Sequence, residues 1–183
     1  MVLLFVCMNT GACHDNVKQE ISRFRSHRII IPADSMLLLQ NERDRVIDNV
    51  SEKGMKLVVY SDSSGCSSCK TRNIYEWEPY IRKANESGGA LQLLFIFSPL
   101  TSEIAQLKYA LASTALDCPV FIDTLGIFAQ CNPHLPDNNL LHTFLLDEGH
   151  RVVLVGNPLR NKRLEEMYQK VIGKQLTSPQ TDR

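Results

Sequence analysis

The sequence has no excess of charge of either sign and no long hydrophobic run. Its 20 lysines and arginines balance its 20 aspartates and glutamates, and no run of basic residues is present. The chain as a whole therefore lacks the positive field that attracts nucleic acids or anionic lipid. No apolar run reaches the roughly 20 residues that a membrane-spanning helix requires. We therefore expect no nucleic-acid partner and no membrane-spanning helix.

The chain also lacks internal repeats and low-complexity tracts. Its 183 residues suit one domain with an appendage. A hydrophobic content of 44% and a charged content of 22% are typical of a soluble globular protein.

The first thirteen residues, MVLLFVCMNTGAC, differ from the rest of the chain. An apolar stretch over residues 2–8 precedes small residues and Cys13, as in a bacterial lipoprotein signal that is cleaved before a lipid-bearing cysteine. The stretch is short, and no Lys or Arg precedes it. The alternatives are a plain secretory signal and a short N-terminal strand with a buried Cys13. Either signal predicts a location outside the cytoplasm, where disulfides persist. The lipoprotein interpretation predicts the cell envelope, on its periplasmic face or outer surface, with the lipid at Cys13 as the only membrane attachment.

The chain divides into four predicted segments. The predicted signal occupies residues 1–12, and a tether with an N-terminal strand and helix occupies residues 13–53. The main domain covers residues 54–174, and a flexible tail covers residues 175–183. Within the tether, the stretch RIIIP at 28–32 predicts an edge strand, and apolar spacing over 41–51 predicts a helix that ends near Gly54.

The main domain shows an alternation of strands and helices. Strands are predicted at 56–60 (KLVVY), 91–97 (LQLLFIF) and 119–123 (PVFID), and a hairpin at 142–147 (HTFLLD) and 151–155 (RVVLV). Helices are predicted at 66–85, 102–114, 125–131 and 161–173, with a kink at Pro79 in the first of them. This order implies an α/β fold with a mixed sheet between helices.

The motif Cys66-Ser67-Ser68-Cys69 lies between a predicted strand and a predicted helix. The first cysteine can then occupy the helix start, where free backbone N–H groups lower a thiol pKa and favour the thiolate. Cys69 lies one turn later on the same face and can attack a mixed disulfide formed at Cys66. The pair predicts thiol–disulfide exchange, with its own dithiol in place of a separate cofactor.

Two other interpretations of this motif remain open. A zinc site would need two further ligands, and Cys118, Cys131 and His134 form no second CxxC or HxxxH spacing, so we expect no metal. An inert structural disulfide is the second alternative. Cys118, at the start of a predicted strand, is interpreted as a small buried hydrophobic residue, and a bridge between Cys118 and Cys131 is the alternative.

The residues from about 55 to 173 resemble the thioredoxin superfamily, and in particular the extracytoplasmic thioredoxin-like lipoproteins of Bacteroidetes-type bacteria. The strand KLVVY, the CxxC, the helix with Trp77, the strand LLFIF and the hairpin HTFLLDEGHRVVLVG follow the family order. The resemblance implies a thioredoxin-like mixed sheet, with Cys66 as the attacking thiol and Cys69 as the resolving thiol. Helical spacing predicts that Trp77 is a core residue.

The sequence departs from the family pattern near the motif. Leu141 stands where the family usually has a cis-proline that faces the active site, so we expect a trans peptide there. Leu141 and His142 are the candidate substrate-binding residues. His142 could face the cysteines and lower their pKa, or it is simply a surface or hairpin histidine. Tyr60 stands where a buried acid is common. Asp62 and Glu76 are candidate proton acceptors for Cys69, or simply solvated charges.

Two functions follow from these observations. The first is a membrane-tethered oxidoreductase that acts on protein or small-molecule disulfides and exchanges electrons with a redox partner of its own. The second is a non-enzymatic lipoprotein in which the same fold serves as a binding or assembly module.

Overall fold

The chain folds around one mixed sheet with helices on both faces, as a computed structural model shows. The structure describes residues 11–39, 50–51, 53–63, 73–112, 114 and 116–177, with side chains from residue 16 onward. The strands are β1 (Leu37–Leu39), β2 (Met55–Ser61), β3 (Leu91–Phe97), β4 (Val120–Ile122), β5 (Thr143–Leu146) and β6 (Val152–Val155). The helices are α1 (Gly11–Arg25), α2 (Glu78–Asn85), α3 (Ile104–Ala112), α4 (Ile127–Cys131) and α5 (Lys162–Thr177).

The strand order across the sheet is β1-β4-β3-β2-β5-β6. β2, β3 and β4 run parallel to one another, whereas β5 and β6 form an antiparallel hairpin next to β2. β1 pairs antiparallel with β4 at one edge. The predicted mixed sheet between helices is therefore confirmed.

The two central strands, β2 and β3, are buried on both faces of the sheet. In β3, Leu93 and Phe95 point to one face and Leu94 and Ile96 to the other, and all four are almost fully buried. A strand that is covered on both faces has a nearly continuous apolar sequence, and for this reason the positions of β2 and β3 were predicted correctly.

One side of the sheet, here called the α2 face, is covered by α2, α3 and α5. Trp77 packs there edge-to-face against Phe95, with ring centroids 6.0 Å apart. The predicted core position of Trp77 is confirmed by its 5% exposure. The helices contribute further apolar side chains to this face: Ile81 from α2, Leu107 and Leu111 from α3, and Tyr168 and Ile172 from α5.

The opposite side, the α1 face, is covered by α1 and α4. Phe24 of α1 lies edge-on to Phe144 of β5 at 5.0 Å, and both rings are fully buried. Phe128 of α4 joins the same cluster. The N-terminal extension is therefore part of the folded core, since burial of a side chain such as Phe24 contributes roughly 1.5–3 kcal/mol.

The N-terminal extension differs from its prediction in two respects. Cys13 lies in α1 and not in a strand, and the apolar residues 2–8 of the alternative N-terminal strand lie outside the described residues. The predicted strand at 28–32 is reduced to a single bridge between Arg28 and Arg151. Ile29 donates its N–H to the His150 carbonyl at 2.9 Å, and Ile30 binds the Asn132 side chain. These partners replace a neighbouring strand.

The sequence did not predict the edge strand β1, which has two partly exposed leucines. The predicted helix at 41–51 lies almost entirely outside the described residues. α5 continues to Thr177, so the first three residues of the predicted tail at 175–183 are helical. Residues 178–183 lie outside the described part of the chain.

The sequence predicted that Pro79 kinks a long helix, but no such kink is present at Pro79. A 3₁₀ helix over Ile74–Trp77 comes first, and Pro79 then lies in the first turn of α2. A proline is accommodated there because the first N–H groups of a helix have no partner within the helix.

Candidate active site

The candidate site lies at the carboxyl end of β2. β2 ends at Ser61, and the 3₁₀ helix over Ile74–Trp77 is the next described element. Cys66 and Cys69 fall between the two and outside the described residues, so their roles stay predictions. The carboxyl ends of β3 and β4 and the start of β5 meet at the same edge of the sheet as the carboxyl end of β2.

Tyr60 is the last buried residue of β2 and lies six residues before Cys66. Burial is the main reason that the pKa of Tyr60 lies above its ordinary value, and the negative charge of Asp62 adds to the increase. A hydrogen bond with Ser98 offsets part of this shift, and Asp123 raises the pKa further. Tyr60 is therefore neutral and protonated near pH 7, whereas an acid at this position could accept a proton.

Asp123 is the buried acid of this edge, although it follows β4 rather than lying in β2. It is fully buried, and its two carboxylate oxygens accept hydrogen bonds from the N–H groups of Ile127 and Phe128, each at 2.9 Å. Both oxygens thus hold the start of α4. Sequence analysis did not identify Asp123 or Ser98 as site residues, although a polar residue directly after a buried parallel strand was the available signal.

His142 is brought against Tyr60. Its ring centroid lies 5.1 Å from that of Tyr60, and its carbonyl accepts the Tyr60 N–H at 2.9 Å. His142 Nε2 lies 2.8 Å from the Pro136 carbonyl oxygen. Because a carbonyl only accepts, Nε2 must carry a proton. The alternative of a surface histidine is wrong, since His142 is only 6% exposed.

Leu141 ends a 3₁₀ helix over Asn139–Leu141, directly before β5. Its side chain is 7% exposed, and its N–H donates to the Asn138 carbonyl at 2.8 Å. The described residues contain no cis peptide bond, so the expected trans geometry at Leu141 is confirmed. The substrate-binding role of Leu141 and His142 stays a prediction, because both side chains are largely covered.

A cavity of about 240 Å³ opens beside β2 on the α2 face. Its apolar walls include Ile74, Trp77 and Phe97, and its polar rim includes Glu76 and Arg160. The Arg160 guanidinium lies 3.5 Å from the Glu76 carboxylate. Of the two candidate proton acceptors, Glu76 is therefore paired with a cation, and Asp62 lies near Tyr60.

The predicted burial of Cys118 is confirmed by its 8% exposure, and the alternative of a bridge is wrong, because Cys118 and Cys131 are free thiols. Cys118 packs into the core of the α2 face, whereas Cys131 ends α4, which packs on the α1 face. The sheet separates the two. Burial, together with the charges of Asp117 and Glu78, raises the pKa of Cys118 to about 12, so this thiol stays protonated near pH 7.

The described residues contain no group of three or more His, Cys, Asp or Glu side chains arranged to hold a metal ion. Over the same part of the chain, no helix combines the length and hydrophobicity that crossing a membrane requires.

Neither a protein-family model nor a curated protein sequence matches this chain. Solved structures do match it. One, assigned as the thiol:disulfide interchange protein DsbE of Chlorobium tepidum, has a TM-score of 0.50 and 16% identity, and the match covers 76% of this chain and 93% of that chain. A thioredoxin-like protein from Bacteroides caccae has a TM-score of 0.51 and 15% identity, and the match covers 91% of this chain and 57% of that chain. These similarities show that the fold is thioredoxin-like.

Proposed function

We propose that this protein is a thiol–disulfide oxidoreductase that uses Cys66 and Cys69 on protein or small-molecule disulfides outside the cytoplasm. The observation that carries this proposal is the position of the CxxC, directly after the central strand β2 of a thioredoxin-like sheet. The segment with Leu141 and His142 adjoins the same end of β2. Since a fold does not determine function, the chemistry rests on the two thiols.

The reaction proceeds in two exchanges. The Cys66 thiolate attacks one sulfur of a substrate disulfide; a mixed disulfide forms, and the other substrate sulfur leaves as a thiolate that takes up a proton. The Cys69 thiolate then attacks the Cys66 sulfur and releases the second substrate thiol. Two electrons pass to the substrate, and Cys66 and Cys69 end as a disulfide. A redox partner that supplies two electrons restores the dithiol, and the same steps in reverse oxidise a substrate dithiol.

Proton transfer in this scheme has few candidate groups among the described residues. The Tyr60 hydroxyl is protonated near pH 7, and both oxygens of Asp123 are engaged by α4. Glu76 is paired with Arg160. Of the two predicted proton acceptors for Cys69, Glu76 is therefore engaged by a cation, and the role of Asp62 stays a prediction. Water is the alternative acceptor.

Insulin reduction in the presence of a dithiol reductant tests the proposal. The wild-type chain should accelerate the reaction, and Cys66→Ser should abolish the acceleration. Cys131→Ser is the matched control, because it removes a partly exposed free thiol that is not part of the CxxC. Redox titration of the wild type should show one two-electron transition that Cys69→Ser removes. A wild type no faster than Cys66→Ser would contradict the proposal.

The second candidate function is a non-enzymatic binding or assembly module. The coverage of Leu141 and His142, at 7% and 6% exposure, favours it, because a substrate would find little of either side chain at the surface. Under this alternative the Cys66 thiol reacts with iodoacetamide no faster than an ordinary thiol near neutral pH. An oxidoreductase should show faster alkylation of Cys66 in a Cys69→Ser background, because a lowered pKa enriches the thiolate.

The proposed location is the cell envelope, with a lipid on Cys13. The support is the sequence before Cys13, an apolar stretch over residues 2–8 followed by small residues. Labelling of cells with a clickable fatty acid should mark the wild type and spare Cys13→Ser. Cys7→Ser is the control, because this cysteine lies inside the apolar stretch that signal cleavage would remove. Equal labelling of Cys13→Ser and wild type would contradict the lipid anchor.

A further inference from the structure

A groove of about 680 Å³ runs between α1 and β6, the outermost strand on the side of the sheet away from β1. Lys18 and Arg25 line it from α1, and Arg151 lines it from the start of β6. Ile21 and Val152 give it an apolar floor. Lys18 and Arg25 are seven residues apart, so they lie on the same side of the helix.

The three cations in this groove are exposed, and none of them forms an ion pair with a carboxylate among the side chains that the structure describes. Asp147 is the acidic residue of the lining, and its Oδ1 accepts the backbone N–H of Arg151 at 2.9 Å. The groove therefore presents cations on both walls and one carboxylate that already has a hydrogen-bond donor.

The neutral composition of the whole chain gives no indication of this basic groove. Residues 16–28 contain four basic side chains and one acidic side chain, although the chain as a whole is neutral. The acidic one, Glu20, accepts a hydrogen bond from the Asn138 N–H at 3.3 Å. Folding then adds Arg151, which is distant in sequence, to the same surface. The positive field that the composition lacks is thus present locally.

We propose that this groove binds the anionic headgroups of phospholipids and so holds the β6 side of the domain against a membrane. Paired cations on two walls suit a phosphate group, and the apolar floor suits the glycerol and first acyl carbons beside it. The groove also lies close to Cys13, which precedes Lys18 by five residues, or roughly 7.5 Å along a helix axis. A lipid on Cys13 would bring the groove to the bilayer, but headgroup binding requires no cysteine and is independent of the dithiol chemistry.

The topology gives this contact a consequence for the candidate active site. β5 runs antiparallel to β2, so Asp147 and Arg151 lie at the end of the sheet opposite to the end where the CxxC follows β2. A membrane that contacts the groove therefore lies along the β6 side of the sheet. Arg151 is at the end far from the CxxC, and Lys18 is nearer to it, because Glu20 in the same helix accepts the Asn138 N–H just before β5.

Vesicle co-sedimentation of the full chain tests the proposal. The chain carries Cys13→Ser, so that no lipid can be attached. Vesicles of phosphatidylglycerol and phosphatidylcholine are compared with vesicles of phosphatidylcholine alone, which report any binding by the apolar residues 2–8. The groove variant is Lys18→Gln, Arg25→Gln, Arg151→Gln. The charge-matched control is Arg82→Gln, Lys108→Gln, Lys170→Gln, which removes three exposed cations from α2, α3 and α5.

We expect binding to the anionic vesicles at low salt, loss of that binding at high salt, and binding of the groove variant weaker by roughly 10- to 100-fold. The control variant should bind like the parent chain. Circular dichroism confirms that both variants fold.

Three results would overturn the proposal. Equal weakening in both variants would mean that charge alone, and not the groove, determines binding. Displacement of the protein from the vesicles by inorganic phosphate, at a concentration equal to that of the lipid phosphate, would identify a site for free phosphate. Binding to poly-glutamate without binding to the vesicles would identify an acidic protein as the ligand.

Discussion

The side chain of Asn132 holds the backbone of Ile30 from both sides. Asn132 Oδ1 accepts the Ile30 N–H and Asn132 Nδ2 donates to the Ile30 carbonyl, both at 2.8 Å. Nδ2 also donates to the Phe128 carbonyl at 2.7 Å, and Asn132 is almost fully buried. One amide group thus joins the N-terminal extension to α4.

Asn132→Ala should lower the free energy of unfolding by about 2–3 kcal/mol, because it leaves the Ile30 N–H and carbonyl without their partner. Hydrogen exchange of the backbone near residues 26–31 should also become faster. Asn138→Ala is the control, because it removes one exposed hydrogen bond to the Leu140 N–H and should cost less than about 1.5 kcal/mol. Urea denaturation measures both. Equal losses would show that Asn132 does not hold the extension in place.

Gly54→Ala should be strongly destabilising. Gly54 has a φ of +78°, and an added Cβ would lie 2.2 Å from the backbone oxygen of Gly89. Gly88 has a φ of +63° with no atom within 4 Å of an added Cβ, so Gly88→Ala carries the conformational cost alone. We expect a loss of about 1 kcal/mol for Gly88→Ala and more than about 3 kcal/mol for Gly54→Ala by urea denaturation. Similar values for the two would contradict the close approach of the chains at Gly54.

Leu141→Pro, which introduces the residue that the thioredoxin superfamily usually has here, should not create or improve activity. The Leu141 N–H donates to the Asn138 carbonyl, and proline has no N–H to replace it. Leu141→Ala keeps this hydrogen bond but has the smaller side chain. We expect Leu141→Pro to be less stable than Leu141→Ala by about 1–3 kcal/mol, with no gain in insulin reduction. A stable and more active proline variant would contradict this.

Tyr80 should make the protein less stable above pH 10. Burial, with a smaller contribution from Glu165, raises the pKa of Tyr80 to about 12. Between pH 10 and 12 the unfolded chain loses the phenolic proton while the folded chain keeps it, so stability falls as the pH rises. Tyr80 should account for about 1.4 kcal/mol of loss at pH 11 relative to pH 9. Tyr80→Phe should remove this part of the pH dependence, and Tyr109→Phe, at an 81% exposed position, should not. Urea denaturation at the two pH values measures it.

Cys118 should resist alkylation that modifies Cys131. A pKa near 12 leaves about 1000-fold less thiolate at Cys118 than its ordinary value of 9.0 would give, and burial also blocks the reagent. Iodoacetamide at pH 8 followed by peptide mass mapping should find Cys131 modified and Cys118 intact. In denaturant both should react. Modification of Cys118 in the folded protein at the rate of Cys131 would contradict its buried position.

Sequence patterns predicted the centre of the fold better than its edges. β2 and β3 were located because both faces of each strand are buried, and the β5–β6 hairpin was located from two apolar runs separated by a short polar turn. At the edge, the stretch RIIIP did not form a strand. The backbone groups of Ile29 and Ile30 instead form hydrogen bonds with His150 and Asn132. Such partners are about 100 residues away in the chain, and local propensity does not reveal them.

The surroundings of the site were only partly predictable, for a similar reason. The sequence placed Tyr60 at the end of β2 and His142 before β5, but not the contact between their rings. The burial of His142 depends on the Pro136 carbonyl, which accepts its Nε2–H. The alternative of a bridge between Cys118 and Cys131 failed because spacing along the chain does not specify which face of the sheet a cysteine occupies.

The separation of Cys118 from Cys131 by the sheet makes the oxidation state of this protein easy to measure. If Cys7 and Cys13 are replaced by serine, four cysteines remain, and two of them, Cys118 and Cys131, cannot reach each other in the folded chain. A mass decrease of about two hydrogens in that variant therefore reports a disulfide with at least one member of the CxxC. Intact-protein mass spectrometry can then follow the proposed dithiol directly, without a substrate or a reporter.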